Sequence, residues 1–329
     1  MATLADIRAR IAAQENKGSG STQKSSDNTI YPHWNADEGT TVTARFLPDA
    51  DNKNPFFWIE KQIIKLPFNG VKGNNEAKRV EVQVPCTEMY DPKWMCPILT
   101  EIRPWYKDES LKELANKYWK KRSYFFQGFV RQNPIGDDAT PANPIRRFVI
   151  SSQIKTIIQA SLMDPEIEEL PTDYSRGLDF NIRKIAGKGG YADYSTSSWS
   201  RKESALTEAE LAAIDAHGLF NLVDFLPKRP TDVELKIIKE MFDASVDGEA
   251  YDPDRWGAYY KPYGLEIAGA PASAPSTSSS APNVSAHDEI DEDVATATQP
   301  VSVPKTSPSS EKAQDILAMI RARNTKTTA

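Results

Sequence analysis

The sequence predicts a mixed β fold with helices (α+β): a small curved sheet or barrel with helical additions, preceded by an arm and followed by an unfolded acidic tail. Three observations predict it. Between Thr40 and Gly187 apolar residues recur mostly with the period of two that turns one side of a strand toward a core. After Trp199 the period becomes helical. Beyond Gly269 the Pro, Ala, Ser and Thr runs carry too little apolar surface to offset the entropy of ordering. Hydrophobic residues make up 39% of the 329, low for a chain that is compact throughout.

In LADIRARIAAQ, Leu4, Ile7 and Ile11 share a helical face with Arg8 and Arg10 off it, which predicts an amphipathic basic arm over residues 1–20. A Gly- and Ser-rich tether follows over residues 21–39. The core is expected over residues 40–268. Its strands are TTVTARFL, PFFWIEKQIIKL, RVEVQVPC with Val80, Val82 and Val84 alternating, SYFFQGFV, PIRRFVIS, and LDFNIRKIAG with Leu178, Phe180 and Ile182 alternating. Helices interrupt them at ESLKELANKYWKK and at SSQIKTIIQASL, where Ile154, Ile157 and Ile158 share a face. In the helical segment 204–245, Thr207 with Glu210 and Thr231 with Glu234 have the spacing of capping boxes. Short strands with inserted helices argue against a doubly wound parallel sheet. Residues 269–329 hold two linkers, the acidic HDEIDED, and a last helix with Ala313, Ile316, Leu317 and Ile320 on one face. Its IRAR repeats the IRAR at Ile7 to Arg10.

Several function classes drop out. No run approaches the ~18 uncharged apolar residues of a membrane span, and Met1 to Lys17 carries Asp6, Arg8 and Arg10 where a signal peptide needs an apolar stretch, so a non-secreted, cytoplasmic protein is expected. Two cysteines and three histidines leave little for a disulfide framework or a metal site. No nucleophile–base pair or phosphate loop appears as a local motif; AGKGGY has Ile182 where the upstream glycine belongs and Gly189 in place of Ser or Thr. The net charge of −6 is uneven: residues 201–329 hold 21 acidic and 13 basic residues, and residues 1–200 hold 25 and 27. A slightly basic front and an acidic back suit a chain of which one part meets phosphates and another competes with them.

What the chain does offer is aromatic and basic residues interleaved between Trp94 and Trp199. WYK contains Tyr106, and YWKKRSYFF contains Tyr118, Lys120, Lys121, Arg122, Tyr124 and Phe125. IRRF contributes Arg146 and Arg147; IRKIAGKGGYADY contributes Lys184, Lys188, Tyr191 and Tyr194. Bases stack on aromatic faces for ~1–3 kcal/mol each, and Lys and Arg follow phosphates. Alternation in SYFFQGFV sends Tyr124 and Phe126 one way and Phe125 and Phe129 the other, so one set is expected to be core. Lys188, Tyr191 and Tyr194, in a Gly-rich turn, are the best candidates from composition alone.

VTARFLP, which contains Arg45, then VPC, MCPIL, KKRSYFF and GGYADY, in that order and spacing, resemble the T-even-type bacteriophage helix-destabilising single-stranded DNA-binding protein family over roughly Thr40 to Met241. The resemblance implies an OB-fold-like barrel that binds single strands in an electropositive groove, an N-terminal arm that makes binding cooperative, and an acidic tail that recruits replication and recombination proteins. It places the family's basic run on Lys120, Lys121 and Arg122, a stacking tyrosine on Tyr124 with Phe125 next, and the loop pair on Tyr191 and Tyr194. Arg146 stands where the family has an aromatic, and Tyr90 and Trp94 flank Lys93 where it has a tyrosine. It also implies a zinc subdomain around residues 60–105. Here only Cys86 and Cys96 of the four ligands remain, with Leu99 and Gly73 at the other two positions, so no zinc is expected and no cofactor.

The resulting expectation is a non-enzymatic, largely sequence-independent coat for single-stranded DNA during phage replication, recombination and repair, in the cytoplasm of an infected bacterium. Ile7, Arg8, Arg10 and Ile11 would carry self-association along the strand. The rival readings are a sequence-specific RNA-binding regulator on the same fold, and a structural or assembly protein whose terminal helices associate and whose aromatics are core.

Overall fold

The alternating segments form nine strands among the residues that the computed structural model describes, 29–74, 79–136, 141–165, 167, 169–187 and 191–262. They are β1 (Thr41–Leu47), β2 (Ile59–Phe68), β3 (Val80–Pro85), β4 (Lys121–Gln132), β5 (Arg146–Ile150), β6 (Leu178–Arg183), β7 (Ile185–Ala186), β8 (Ala192–Asp193) and β9 (Ser198–Glu203). The helices are α1 (Pro97–Ile102), α2 (Lys112–Lys117), α3 (Ser152–Leu162), α4 (Glu208–His217), α5 (Asp232–Val246) and α6 (Pro253–Trp256). Seven strands make one antiparallel sheet in the order β3-β2-β4-β1-β6-β9 with β5 on β4; β7 and β8 form a separate ribbon.

The long strand β4 joins the halves. One of its edges takes β2, Phe125 to Lys121 opposite Ile59 to Ile63, and then β1, Gln132 to Gln127 opposite Thr43 to Leu47. Its other edge takes β5, Tyr124 to Gly128 opposite Ile150 to Arg146. Gly128 is required where β4 crosses β1, since a Cβ there would overlap the backbone of Arg45 and Phe46.

Each half encloses its own core. Ile64, Leu66 and Phe68 of β2 and Val82 and Val84 of β3 pack with Ile98, Trp105, Phe242 and Trp256 from the helical side. Phe46, Phe126, Phe148, Phe180 and Trp199 from five strands pack with Ile154 and Ile158 of α3. The path β5-β4-β1-β6-β9 stays open: no ladder among the described residues joins β9 to β5, and α3 lies against β4 and β9. The fold is therefore mixed α+β with a mostly antiparallel sheet, and no closed barrel is found among the described residues.

Both capping boxes form. Thr207 Oγ1 accepts from the Glu210 amide at 3.2 Å while Glu210 accepts from the Thr207 amide at 2.8 Å, and Thr231 with Glu234 repeats the exchange at the start of α5. The tether ends earlier than expected. Residues 29–36 belong to the fold, because Tyr31 and Ala36 fill the second core and the Tyr31 amide donates to the Arg147 carbonyl at 2.8 Å. Among the described residues no helix is long and apolar enough to cross a membrane. The arm and residues 269–329, with the acidic HDEIDED and the last helix, lie outside the described residues.

Candidate nucleic-acid interface

Strand β2 keeps a regular register with both neighbours, so its alternate residues divide cleanly. Ile64, Leu66 and Phe68 enter the first core; Ile59, Lys61, Ile63, Lys65 and Pro67 take the opposite face. Lys121 lies opposite Ile63 and Phe125 opposite Ile59, which puts Lys61, Lys65 and Lys121 on one sheet face. Lys61 is only 9% exposed. Its Nζ lies 5.7 Å from the Phe125 ring centroid, no carboxylate pairs with it among the described residues, and burial alone lowers its pKa.

The row opens into a groove of about 570 Å³. Lys65 and Lys121 meet Arg79 and Lys117 there, with Glu81 and Glu113 as the carboxylates on the wall. Glu81 lies 3.5 Å from Lys65. Lys117 is held below the ordinary lysine range by burial and then by the nearby Arg79 charge. The opposite end of the face is closed. Phe225 packs on Phe125 at 6.4 Å, and the Arg147 guanidinium lies 3.8 Å from the Phe225 centroid.

The same alternation divides the basic run KKR. Lys121 joins the face just described, while Lys120 and Arg122 turn to the other. There Lys120 Nζ lies 3.0 Å from Glu88, which also takes Arg103 at 2.5 Å, and Arg122 lies 3.3 Å from Glu60. Two cations of the run are thus already neutralised.

Several expected contact residues are structural. Arg45 is fully buried and spends its guanidinium on backbone carbonyls, donating to Ser204 O at 3.1 Å and to Pro171 O and Asp173 O. Tyr118 is fully buried with its hydroxyl 3.0 Å from Ser245 Oγ. Tyr124 and Phe125 do alternate, but both sets of β4 aromatics are core, because α3 covers one face of the strand and Phe220, Phe225 and α4 cover the other. Arg146 is buried over the Tyr31 ring, 5.4 Å from its centroid, and Arg147 donates to Thr29 Oγ1. Tyr194 is buried against His33 at 6.0 Å.

Others act as clamps. Tyr90 donates its hydroxyl to Pro227 O at 2.7 Å, and Arg229 covers the Trp94 ring at 3.0 Å, which ties residues 227–229 to the loop between the cysteines. Tyr106 donates to Asn116 Oδ1 at 2.9 Å, and Lys184 donates to the carbonyls of Trp34 and Ala36. Tyr191 is exposed at 51%. Lys188 and the arm residues Ile7, Arg8, Arg10 and Ile11 lie outside the described residues. The structure thus leaves Lys121 on the basic face and Tyr191 in the open, and adds Lys61, Lys65, Arg79 and Lys117. The period of β2 carried the signal for the first two of these; Arg79 and Lys117 converge only through the fold.

The family's zinc does not fit the residues present. Cys86 and Cys96 are buried thiols in contact, Cys86 held well above the ordinary thiol range by its hydrogen bond to Cys96 and by burial. Leu99 is fully buried in the apolar cluster around them. Two thiols do not close a tetrahedral site, and among the described residues no group of three or more His, Cys, Asp or Glu stands together. No family model and no curated protein matches the chain.

Proposed function

We propose that the protein is a non-enzymatic coat for single-stranded DNA, holding the strand by its phosphates along the outer face of β2 and into the groove between β2, β3 and α2. The observation that carries this reading is Lys61, an ammonium buried in a sheet face with no carboxylate paired to it among the described residues and continued toward the groove by Lys121 and Lys65. Burying a charge without a partner is costly, and an external anion at that face supplies the partner. Contacts to phosphate carry no sequence information, so the mode is sequence-tolerant. The ordered motifs shared with the phage single-stranded DNA-binding family supply the role in replication, recombination and repair, the self-association through residues 1–20, and the recruitment of partner proteins through the tail.

Titration with labelled oligothymidine, oligouridine and duplex of equal length, over a range of salt, tests the reading. Single strands should bind better than duplex, with log K falling against log salt at a slope of about −3.5 for the five cations grouped here. Equal binding of single strand and duplex, or a slope near zero, refutes it. Preference for oligouridine favours the RNA reading instead.

A further inference from the structure

We infer that Phe56 is a base-stacking platform on the sheet face opposite the cationic row, a subsite that rests on the single-strand reading above. Phe56 is 55% exposed although it is a large apolar ring. It is not loose. Its ring stacks on Trp58 with centroids 4.8 Å apart and planes 25° apart, and Trp58 stacks on the fully buried Phe126 at 5.6 Å and 24°. Phe57 meets Trp58 edge-on at 4.9 Å and fixes the middle ring. The result is three near-parallel rings, anchored at one end in the core and open at the other.

The loop beneath is held as firmly. Asn54 Nδ2 donates to Asp49 Oδ2 at 2.7 Å and to the Trp58 carbonyl at 3.1 Å, while Asn54 Oδ1 accepts from the Phe56 amide at 3.0 Å. A ring already ordered loses little further freedom when a ligand stacks on it. The occupant that fits an open stack of aromatic planes is another planar ring. A nucleobase of a single strand offers such a ring whatever its identity, whereas bases in a duplex are already stacked on each other. Trp58 stacks on Phe126, on the face of β4 opposite Phe125, so the platform lies across the sheet from Lys61; the two are five residues apart along the chain, no more than about 18 Å, and a strand stacked on Phe56 meets the cationic row by passing around β2.

The test is anisotropy of a labelled oligothymidine with the full chain and with Phe56→Leu, Phe56→Ala and Phe56→Trp. The leucine and alanine variants should bind about 5- to 150-fold more weakly with an unchanged salt slope. The tryptophan variant should bind like the parent and show saturable quenching on adding the strand, while an abasic oligomer should bind all four proteins alike. If the parent binds and Phe56→Leu binds equally well, the platform is refuted and the phosphate face stands. If the parent binds no single strand at all, both fall together.

Discussion

Replacing Lys61 by methionine should move stability and binding in opposite directions. Lys61 is nine-tenths buried, touches the Phe125 ring and pairs with no carboxylate among the described residues. The methionine keeps most of the apolar stem and removes the charge whose desolvation the folded protein bears. In the absence of nucleic acid the variant should therefore be more stable, by about 1 kcal/mol, the usual gain when an unfavourable group is relieved without strain. Binding should suffer. A lost charge-assisted contact to one phosphate is worth about 2 kcal/mol, or roughly 30-fold in affinity, and the salt slope should become shallower by about 0.7. Urea unfolding of the free protein gives the first quantity; oligothymidine anisotropy between about 50 and 200 mM salt gives the other two. The pH dependence supplies a sign check. The folded-state pKa of Lys61 is lowered, so the unfolded chain binds more protons between that value and the ordinary lysine pKa, and stability contributed by this group rises with pH through that window and falls as pH drops. The methionine variant should lose that dependence. A variant that is less stable than the parent, or one whose salt slope is unchanged, would show that Lys61 is a structural cation and refute the reasoning.

Three further outcomes follow from the packing. Lys117→Ala and Lys121→Ala should each reduce the salt slope, whereas Lys120→Ala, whose ammonium is committed to Glu88 at 3.0 Å, should leave it nearly unchanged in the same titration. Gly177→Ala should cost about 3 kcal/mol in urea unfolding, because a Cβ there would overlap the Arg45 guanidinium and the carbonyls of Pro171 and Asp173 that it binds. His33 is buried with Nδ1 lacking a partner, and burial pushes its pKa from 6.5 down to about 4. The unfolded chain binds the extra proton between those values, so His33 should withdraw about 3 kcal/mol of stability as pH falls from 6.5 to 4, and His33→Phe should flatten that part of the pH–stability curve.

Local pattern was readable from the chain alone; convergence was not. The alternation of Val80, Val82 and Val84 placed β3, and Thr207 with Glu210 and Thr231 with Glu234 placed the starts of α4 and α5, because each depends on residues a few positions apart. The aromatic and basic interleaving was visible too, yet most of the stacking candidates drawn from it are interior. Tyr118, Tyr124 and Phe125 are buried by α5, α3 and Phe225, partners distant in sequence that no local rule could supply. KKR looks like one cationic patch until the pleat assigns neighbouring residues to opposite faces and Glu88 and Glu60 neutralise two of them. Arg45 lies in VTARFLP, one of the motifs that carry the resemblance, but only the fold brings the carbonyls of Pro171, Asp173 and Ser204 around it. Lys61 and Lys65 fall on the period of two within a largely apolar strand, but only the pairing of Ile63 with Lys121 sets a third cation on their face.

Residues 124, 125, 127 and 128 of β4 are paired along both edges at once, with β5 on one side and β2 passing to β1 on the other. Neither core can open without breaking ladder bonds that also hold its neighbour. The two halves should therefore melt in one transition, and the amides of this segment should be the last to exchange with solvent. Tension on a strand bound along β2 would be carried into the stiffest part of the sheet, so release of the ligand should precede separation of the halves.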